Sequence, residues 1–439
     1  MSTSTSFSWD TRFKGIKALH ILYLIILIEL INVVCYGSFL ANRGYLPAPF
    51  IMDKGDTFMD FYNPLFWVIK DGFYTEFHSI YPALNYFFLK LFSFGIEPEN
   101  IVDSRQLREI SIHISVLILG FYAFIVWCVV NLGEWRKINQ GHQLAIFSVC
   151  LLSMPILFAF ERANLIFLGL LFLALYLNAS SSLWRAIFLA ILVNIKPYFA
   201  VFLLPYLNKD RFDLRFIASV AGISAFLFLS LGWLAGMSVI GFFSDTFLFR
   251  SGSQIPMAHI IALPHSMDAL LAPISALGRP MKSVPSFHLD ALTYQYLTYF
   301  TTVVGLVNKL TLLALVALVV LKRMSYFELL LASFIVITNL SVATGGYILI
   351  MYILLIPYLL NSNEYRKYLI PIVIIFSTPF DWIKIQALRL EPVESYLGGV
   401  TLENIDFYLG IGSVIRPITN YLLLAWLTLS LFRKYSKRI

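Results

Sequence analysis

Long apolar segments recur along the chain, separated by short polar stretches and by three much longer ones. The apolar segments are rich in Leu, Ile and Phe and lack the alternation of apolar and polar residues that marks a membrane barrel strand. Many approach the ~20 residues that a helix needs to cross a ~30 Å hydrocarbon core. We therefore predict an all-α polytopic membrane protein with about 12 transmembrane helices. Their approximate residues are 17–41, 110–132, 142–160, 165–178, 183–195, 197–207, 214–235, 297–321, 326–343, 347–360, 368–380 and 412–432.

The composition agrees with this pattern. Of the 439 residues, 59% are hydrophobic and 13% are charged, whereas a soluble domain has about 25% charged residues. No boundary to a separate soluble domain is visible, so we expect a single integral-membrane domain over residues 1–439. Cys35, Cys128 and Cys150 fall inside predicted spans without a pattern of Cys and His ligands, and they predict neither a disulfide nor a metal site.

The basic residues indicate the orientation of the chain. More than half of the 32 Lys and Arg residues lie in the terminal segments and in one alternating set of mostly short loops. The other set of loops is longer and holds most of the acids. By the positive-inside rule, both termini are predicted to lie in the cytoplasm, with the acidic loops on the outer face of an inner (plasma) membrane. The net charge of +7 therefore reports orientation and does not predict a nucleic-acid partner.

Three long outer loops are predicted at about residues 42–109, 236–296 and 381–411. They contain aromatic-rich segments that are too short to span a membrane and are typical of amphipathic helices at its interface. These segments are residues 57–70, 83–94 and 238–249. Several prolines punctuate the second and third loops, where we expect turns and short helices.

The first outer loop gathers four carboxylates, Asp53, Asp56, Asp60 and Asp71, among aromatic residues. If residues 56–70 form a helix, the i, i+4 spacing of Asp56 and Asp60 places both on one face. A carboxylate that is tuned by a neighbouring charge and by partial burial can act as a general base. The alternative is that Asp56 or Thr57 caps the helix and the other acids are solvated. Asp56 and Asp60 are the candidate catalytic residues.

Two further polar groups interrupt apolar segments on the predicted outer side. Arg162 and Asn164 lie in a four-residue turn, and Lys196 precedes Pro197 between two short helices. A cation at such a position is expensive unless it faces water or a ligand, and a guanidinium suits phosphate. Alternatively, Arg162 pairs with Glu161, or the basic side chains extend to lipid headgroups. We expect Arg162, Asn164 and Lys196 to contact a ligand.

Other residues are weaker candidates, or indicate what the protein lacks. Basic residues on or near the outer loops that could contact an acceptor or a phosphate are Arg250, His259, His265 and Arg416. Glu29 and Lys309 lie mid-span, where a structural ion pair is expected. No Gly-rich phosphate loop follows a strand, and neither HExxH nor GxSxG is present. A transferase without a nucleotide site must use an activated donor that is already in the membrane.

Several of these motifs follow one another along the chain: residues 56–63, Tyr81-Pro82, residues 161–164 and residues 194–197. In this order they resemble the membrane glycosyltransferases of family 87, which have the C-type (GT-C) fold. In the second half of the chain, Ser266-Met267-Asp268 and Thr344-Gly345-Gly346-Tyr347 are similar to outer-loop segments of that family.

The resemblance implies a glycosyltransferase that transfers a sugar, typically mannose, from a polyprenyl-phosphate donor to a glycan or glycolipid acceptor. Asp56 would be the general base for inverting transfer, with Asp60 as its partner or alternative. Arg162, Asn164, Lys196 and Tyr81 would hold the donor, while Tyr347 is placed with the acceptor or phosphate contacts. Neither a metal nor a cofactor is expected, since cationic side chains could offset the charge of the phosphate.

Two other functions remain open at this point. A transporter or flippase of a lipid-linked saccharide would be expected to show inverted repeats with broken helices in matching positions of the two halves. Lys196-Pro197 has no counterpart in the second half. An O-antigen polymerase or ligase would be expected to place its basic residues in late outer loops instead of using early aspartates.

Overall fold

The computed structural model describes most of the chain. The described residues are 12–13, 16–47, 50, 54–138, 143–252, 291–340, 346–362, 364–377, 384–389, 393–398, 401–402 and 406–436. His259 and His265 lie outside them, and of Arg250 the backbone alone is described.

Helices dominate the described chain. Those of the first half are α1 (Ala18–Arg43), α2 (Met59–Ile69), α3 (Ala83–Lys90), α4 (Ser104–Ile110), α5 (Ile112–Val130), α6 (Gly133–Ile138), α7 (Gln143–Leu152), α8 (Met154–Glu161), α9 (Ile166–Asn178), α10 (Ser182–Ile195), α11 (Leu204–Leu207), α12 (Leu214–Leu234) and α13 (Val239–Gly252). Those of the second half are α14 (Ala291–Leu321), α15 (Tyr326–Leu340), α16 (Ile356–Asn361), α17 (Leu369–Ser377) and α18 (Ile411–Ser436). Short 3-10 segments occur at Lys54–Asp56, Pro98–Asn100, Pro197–Leu203, Gly346–Leu354 and Arg366–Tyr368.

The ends of several helices follow from local sequence. The side chain of Asp103 accepts from the backbone of the first turn of α4 at 2.8 Å. Ser181 and Asp213 do the same for α10 and α12, at 3.2 and 2.9 Å. Such caps satisfy backbone N–H groups that have no partner within the helix. Helix α10 ends at Ile195 because the residue before Pro197 is pushed out of the helical conformation.

The described chain is largely helical and contains candidate membrane spans, but twelve spans are not confirmed. Among the described residues, three helices are long and apolar enough to cross a membrane: Tyr23–Arg43, Ile112–Val130 and Leu214–Leu234. Helices α7 and α8 could form a fourth span, bent by 62° at Ser153. Every other predicted span coincides at least in part with helix, and several of these helices are shorter than a bilayer is thick.

The three aromatic segments predicted as outer-loop helices are helical, as α2, α3 and α13. Helix α2 packs against α3 and α4, and its Phe61, Tyr62, Leu65 and Val68 are fully buried. The apolar face of this helix therefore points into the protein core.

The third predicted outer loop contains strands. Strand β3 (Lys384–Arg389) pairs antiparallel with β6 (Asp406–Gly410), and β4 (Val393–Glu394) pairs with β5 (Thr401–Leu402). A further short pair, β1 (Arg12–Phe13) and β2 (Ile16–Lys17), precedes α1. The short helices predicted between residues 381 and 411 are therefore wrong for the described part of that loop. Strand pairing is non-local, and proline punctuation does not reveal it.

One apolar core joins the two halves of the chain. Buried apolar residues from Met59 to Tyr435 form a continuous cluster, in which the segment Gly346–Leu354 packs against α8 and α9. The predicted pair of Glu29 and Lys309 does not form. Glu29 is buried and accepts a 3.5 Å hydrogen bond from Ser377, whereas Lys309 is exposed.

Candidate functional site

Two turns from distant parts of the chain meet at the N-terminus of α2. The first turn, Lys54–Phe58, leads into α2, and the second connects α8 to α9. The backbone N–H of Phe58 donates to the carbonyl of Glu161 at 2.9 Å. Phe58 and Ala163 have φ angles of 66° and 47°, which residues with a side chain rarely adopt. Such conformations cluster at functional sites, where the surrounding structure holds them.

The end of α8 determines how Arg162 and Asn164 are presented. The N–H groups of Ala163 and Asn164 donate to carbonyls of the last turn of α8 at 2.9 and 3.0 Å. With Ala163 left-handed, this is a Schellman C-cap, at a position usually held by glycine. The hydroxyl of Tyr122 donates to the carbonyl of Ala163 at 3.1 Å and supports the turn from α5. The chain reverses within two residues, so Arg162 and Asn164 both reach α2.

Asp60 accepts hydrogen bonds on both carboxylate oxygens. The Nη2 and Nε of Arg162 donate to Oδ1 at 2.6 and 3.2 Å. The amide Nδ2 of Asn164 donates to Oδ2 at 2.6 Å. Asp60 is therefore held by the predicted turn residues, which begin more than a hundred positions later in the sequence.

Asp56 meets the same guanidinium from the other side. The Nη1 of Arg162 donates at 2.9 Å both to the backbone carbonyl and to Oδ2 of Asp56. The side chain of Asp56 is 41% exposed, whereas that of Asp60 is 21% exposed. The alternative pairing of Arg162 with Glu161 is therefore not its main contact. Asp56 is the more accessible of the two carboxylates.

The predicted geometry of the acid pair is wrong, although both acids contact Arg162. Asp56 lies in the 3-10 turn before α2, and left-handed Phe58 separates it from the helix that contains Asp60. The two side chains thus do not share a helix face. Neither Asp56 nor Thr57 caps α2, because the cap residue is Phe58, without a side-chain hydrogen bond. The guanidinium of Arg162 brings the acids together.

Lys196 contacts Asn164, beside the ion pairs that Arg162 forms with Asp56 and Asp60. The residue is buried, with 9% of its surface exposed. Its Nζ is 3.5 Å from Oδ1 of Asn164 and 4.9 Å from the ring centroid of Tyr347. Among the described residues, Lys196 has no carboxylate within salt-bridge distance. The contacts of Lys196 are therefore weak for a desolvated ammonium, which would gain from meeting an anion.

Asn85 of helix α3 holds the backbone at Ile195, the residue that precedes Lys196. The buried amide of Asn85 donates to the carbonyls of Pro82 and Ile195 at 3.1 and 3.0 Å. Tyr81 precedes this helix and lies within electrostatic range of Asp60 and Arg162. Asn85 therefore links the predicted Tyr81-Pro82 motif to the residue before the Lys196-Pro197 turn.

The electrostatics of the cluster favour an ionised Asp60. Burial raises the pKa of Asp60, but the charge and hydrogen bonds of Arg162, together with Asn164 and Lys196, hold it below its usual value. Burial lowers the pKa of Lys196 to about 8, although the charge of Asp60 acts in the opposite direction. Burial, and then the charge of Asp60, raise the pKa of Tyr81. Near neutral pH, Asp60 is ionised, Lys196 is mostly protonated and Tyr81 keeps its proton.

Two residues that the sequence did not single out support Asp56. Arg108 of α4 is buried, and its Nη1 donates to the carbonyls of Lys54 and Thr57 at 2.7 and 2.9 Å. Tyr396, from the third predicted outer loop, shares a 2.6 Å hydrogen bond with the hydroxyl of Thr57. Both contacts hold the turn that carries Asp56. No local pattern distinguishes Arg108 from the other basic residues of its loop.

Among the weaker candidates, Tyr347 and Arg416 have described side chains. Tyr347 joins the cluster through Lys196 and stacks on Phe158, with ring centroids 6.1 Å apart. Arg416 is fully buried, and its Nε donates to the carbonyl of Ile375 at 3.2 Å. Within the described ranges, no three His, Cys, Asp or Glu side chains group closely enough to hold a metal ion.

The structure thus brings Asp56, Asp60, Arg162, Asn164 and Lys196 into one connected cluster. A carboxylate beside a bound acceptor can take a proton, and a buried cation can offset the charge of a leaving group. Comparisons with protein-family models, curated proteins and solved structures found no match for this chain, so the cluster itself carries the functional argument.

Proposed function

We propose that this chain is an inverting membrane glycosyltransferase that uses a polyprenyl-phosphate-linked sugar, with mannose as the first donor to test. The arrangement proposed is a GT-C-like bundle of about 12 spans in the inner membrane. Both termini would lie in the cytoplasm and the site on the outer face. The acceptor would be a glycan or a glycolipid. The observation that carries the proposal is the joining of Asp56 and Asp60 through Arg162, next to the buried Lys196.

In this mechanism Asp56 is the general base. Its carboxylate takes the proton of an acceptor hydroxyl, whose oxygen attacks the anomeric carbon of the donor sugar. The bond from that carbon to the phosphate oxygen breaks, and polyprenyl phosphate leaves with the electron pair. Asp56 suits this task better than Asp60, because its side chain is more exposed and Asp60 accepts hydrogen bonds on both oxygens.

The cations have separate tasks in the proposal. Arg162 directs four hydrogen bonds to the two aspartates and therefore orients the acid pair. Lys196 has only weak contacts with described residues, and its ammonium would offset the charge that develops on the leaving phosphate. A site shielded from water strengthens this interaction.

Purified protein in liposomes, supplied with labelled polyprenyl-phosphate mannose and a panel of glycan and glycolipid acceptors, tests the proposal. Asp56→Asn is expected to lower sugar transfer at least about 100-fold, because loss of a general base costs that much, while donor binding remains. Asp71→Asn is the matched control, since Asp71 is exposed and lies outside the cluster. Full transfer by well-folded Asp56→Asn would show that Asp56 is not the base.

The same preparation separates the alternatives. A new glycosidic bond without movement of saccharide across the bilayer supports the transferase. Movement of an intact lipid-linked saccharide without a new bond would identify a transporter or flippase. Transfer only from a lipid-diphosphate oligosaccharide would point to a polymerase or ligase.

A further inference from the structure

Tyr198 carries a buried hydroxyl that finds no hydrogen-bond partner among the described residues. It follows Lys196 by two positions, across Pro197, in the 3-10 segment Pro197–Leu203. A buried hydroxyl without a partner opposes folding, so such a group is a candidate for contact with something that binds later. The sequence did not mark this tyrosine, because an aromatic residue in an apolar segment is usually part of the core.

The surroundings of Tyr198 belong to the candidate site. It lies within electrostatic range of Tyr81 and of Tyr347. Tyr81 in turn is within range of Asp60, and the ring of Tyr347 lies 4.9 Å from the Nζ of Lys196. This hydroxyl donor is thus two positions along the chain from Lys196, a cation that has no carboxylate partner among the described residues.

We propose that Tyr198 is a positioning residue for the donor, whose hydroxyl donates a hydrogen bond to the phosphate group that Lys196 attracts. This inference rests on the proposed function. A phosphate diester offers acceptor oxygens and one negative charge, and it would satisfy both the unpartnered hydroxyl and the desolvated ammonium. Pro197 restricts the backbone between the two side chains, so both groups are presented from one rigid turn.

The full-length protein in detergent allows this role to be measured apart from stability. Tyr198→Phe removes only the hydroxyl, and Tyr176→Phe is the matched control. The hydroxyl of Tyr176 is buried but satisfied, since it donates to the carbonyl of Phe202 at 3.3 Å. Each protein is titrated with a short-chain polyprenyl phosphate, and with the same polyprenol lacking the phosphate. The Tm of each ligand-free protein is recorded in parallel.

The two variants are expected to behave in opposite ways. Tyr198→Phe should bind polyprenyl phosphate about tenfold more weakly or worse, the effect of losing a hydrogen bond to a charged group. Its ligand-free Tm should be unchanged or higher. Tyr176→Phe should have a lower Tm and normal binding.

Equal binding of polyprenyl phosphate by the wild-type protein and Tyr198→Phe would overturn the role of Tyr198 and leave the proposed function standing. An equal loss of polyprenol binding would also overturn it, because the contact would then be with the lipid chain. If the wild-type protein binds neither lipid, the proposed function fails, and the role of Tyr198 fails with it.

Discussion

Arg162 links the two carboxylates that the first outer loop provides. It has a carboxylate on each side, with donor–acceptor distances of 2.6 and 2.9 Å. A guanidinium can hold two such groups at once because its planar fork carries five N–H donors. In the proposed enzyme, this contact keeps Asp60 ionised and orients Asp56. Lys196 is then the cation with the weakest contacts in the cluster.

Asp60 is expected to matter for stability more than for proton transfer. Asp60→Asn leaves the largely buried Arg162 without one of its charged partners, and this should lower the free energy of unfolding by about 3 kcal/mol. Because the pKa of Asp60 is lowered in the folded protein, its stabilising effect is present near neutral pH. It is lost as the pH falls below the usual aspartate range.

Denaturation of the purified protein at neutral and acidic pH measures both effects. Asp71→Asn is again the control, because its pair with Lys90 is an exposed one at 3.5 Å and should contribute little. Wild-type stability in Asp60→Asn would refute the structural role of this pair.

We expect donor binding to depend on pH through the protonation of Lys196. Its pKa in the folded protein is about 8, so binding of a polyprenyl-phosphate sugar should weaken as the pH rises through that value and the ammonium loses its proton. The phosphodiester keeps a constant charge over this range. Lys196→Met should bind weakly at every pH. If the wild-type protein bound the donor equally well between pH 7 and pH 9, the assignment of Lys196 as the phosphate-binding cation would be contradicted.

The stability of the ligand-free protein should change in the opposite direction. The pKa of Lys196 is lower in the folded protein than in the unfolded chain, so burial of the ammonium opposes folding below pH 8. Stability should therefore rise between about pH 8 and the usual lysine pKa near 10. The two opposed slopes distinguish Lys196 from a surface lysine.

At the scale of elements, the site depends on two tight turns more than on any helix face. The turn after α8 and the turn before α2 are joined by one backbone hydrogen bond of 2.9 Å, from Phe58 to Glu161. Each turn has a residue with a positive φ and a side chain, Phe58 or Ala163. Phe58 lies between Asp56 and Asp60, and Ala163 lies between Arg162 and Asn164, so a change of conformation in either turn would separate the acids from Arg162.

Substitution of Ala163 tests the turn after α8. Ala163→Gly should be neutral or stabilise by up to about 1 kcal/mol, because glycine adopts this conformation without strain. Ala163→Val should destabilise and abolish transfer, since a β-branched residue disfavours positive φ and Ala163 is fully buried. Thermal unfolding and transfer assays report both results. A fully active Ala163→Val would show that the turn tolerates another conformation.

At the scale of the whole molecule, the late part of the chain closes around the first outer loop. Tyr347 covers Lys196, and Tyr396 reaches the hydroxyl of Thr57. The backbone of Tyr396 also donates to the carbonyl of Gly44 at 2.8 Å, at the end of α1. At another place, Lys434 of α18 binds the buried Glu328 of α15 at 2.8 Å. The second half of the chain therefore completes the site that the first half begins.

The orientation in the membrane can be tested with two exposed positions. In a variant without Cys35, Cys128 and Cys150, Phe94→Cys should react with an impermeant maleimide added to the outside of intact cells. Arg323→Cys should react only after the membrane is opened. Both side chains are exposed, at 95% and 79%. Labelling of both positions from the same side would contradict the orientation that the basic loops predict.

The sequence by itself determined the helical segments and singled out the charged residues of the cluster around Arg162. Long apolar segments must satisfy their backbone as helices in a membrane, and ionisable groups are so scarce in this chain that Asp56, Arg162 and Lys196 stand out. The tertiary structure decided which partners these residues take. The hydrogen bonds of Asp60 with Arg162 and Asn164 span more than a hundred residues and leave no local pattern in the sequence. The pairing of β3 with β6, and the absence of a partner for the Tyr198 hydroxyl among the described residues, likewise follow from the packing of the folded chain.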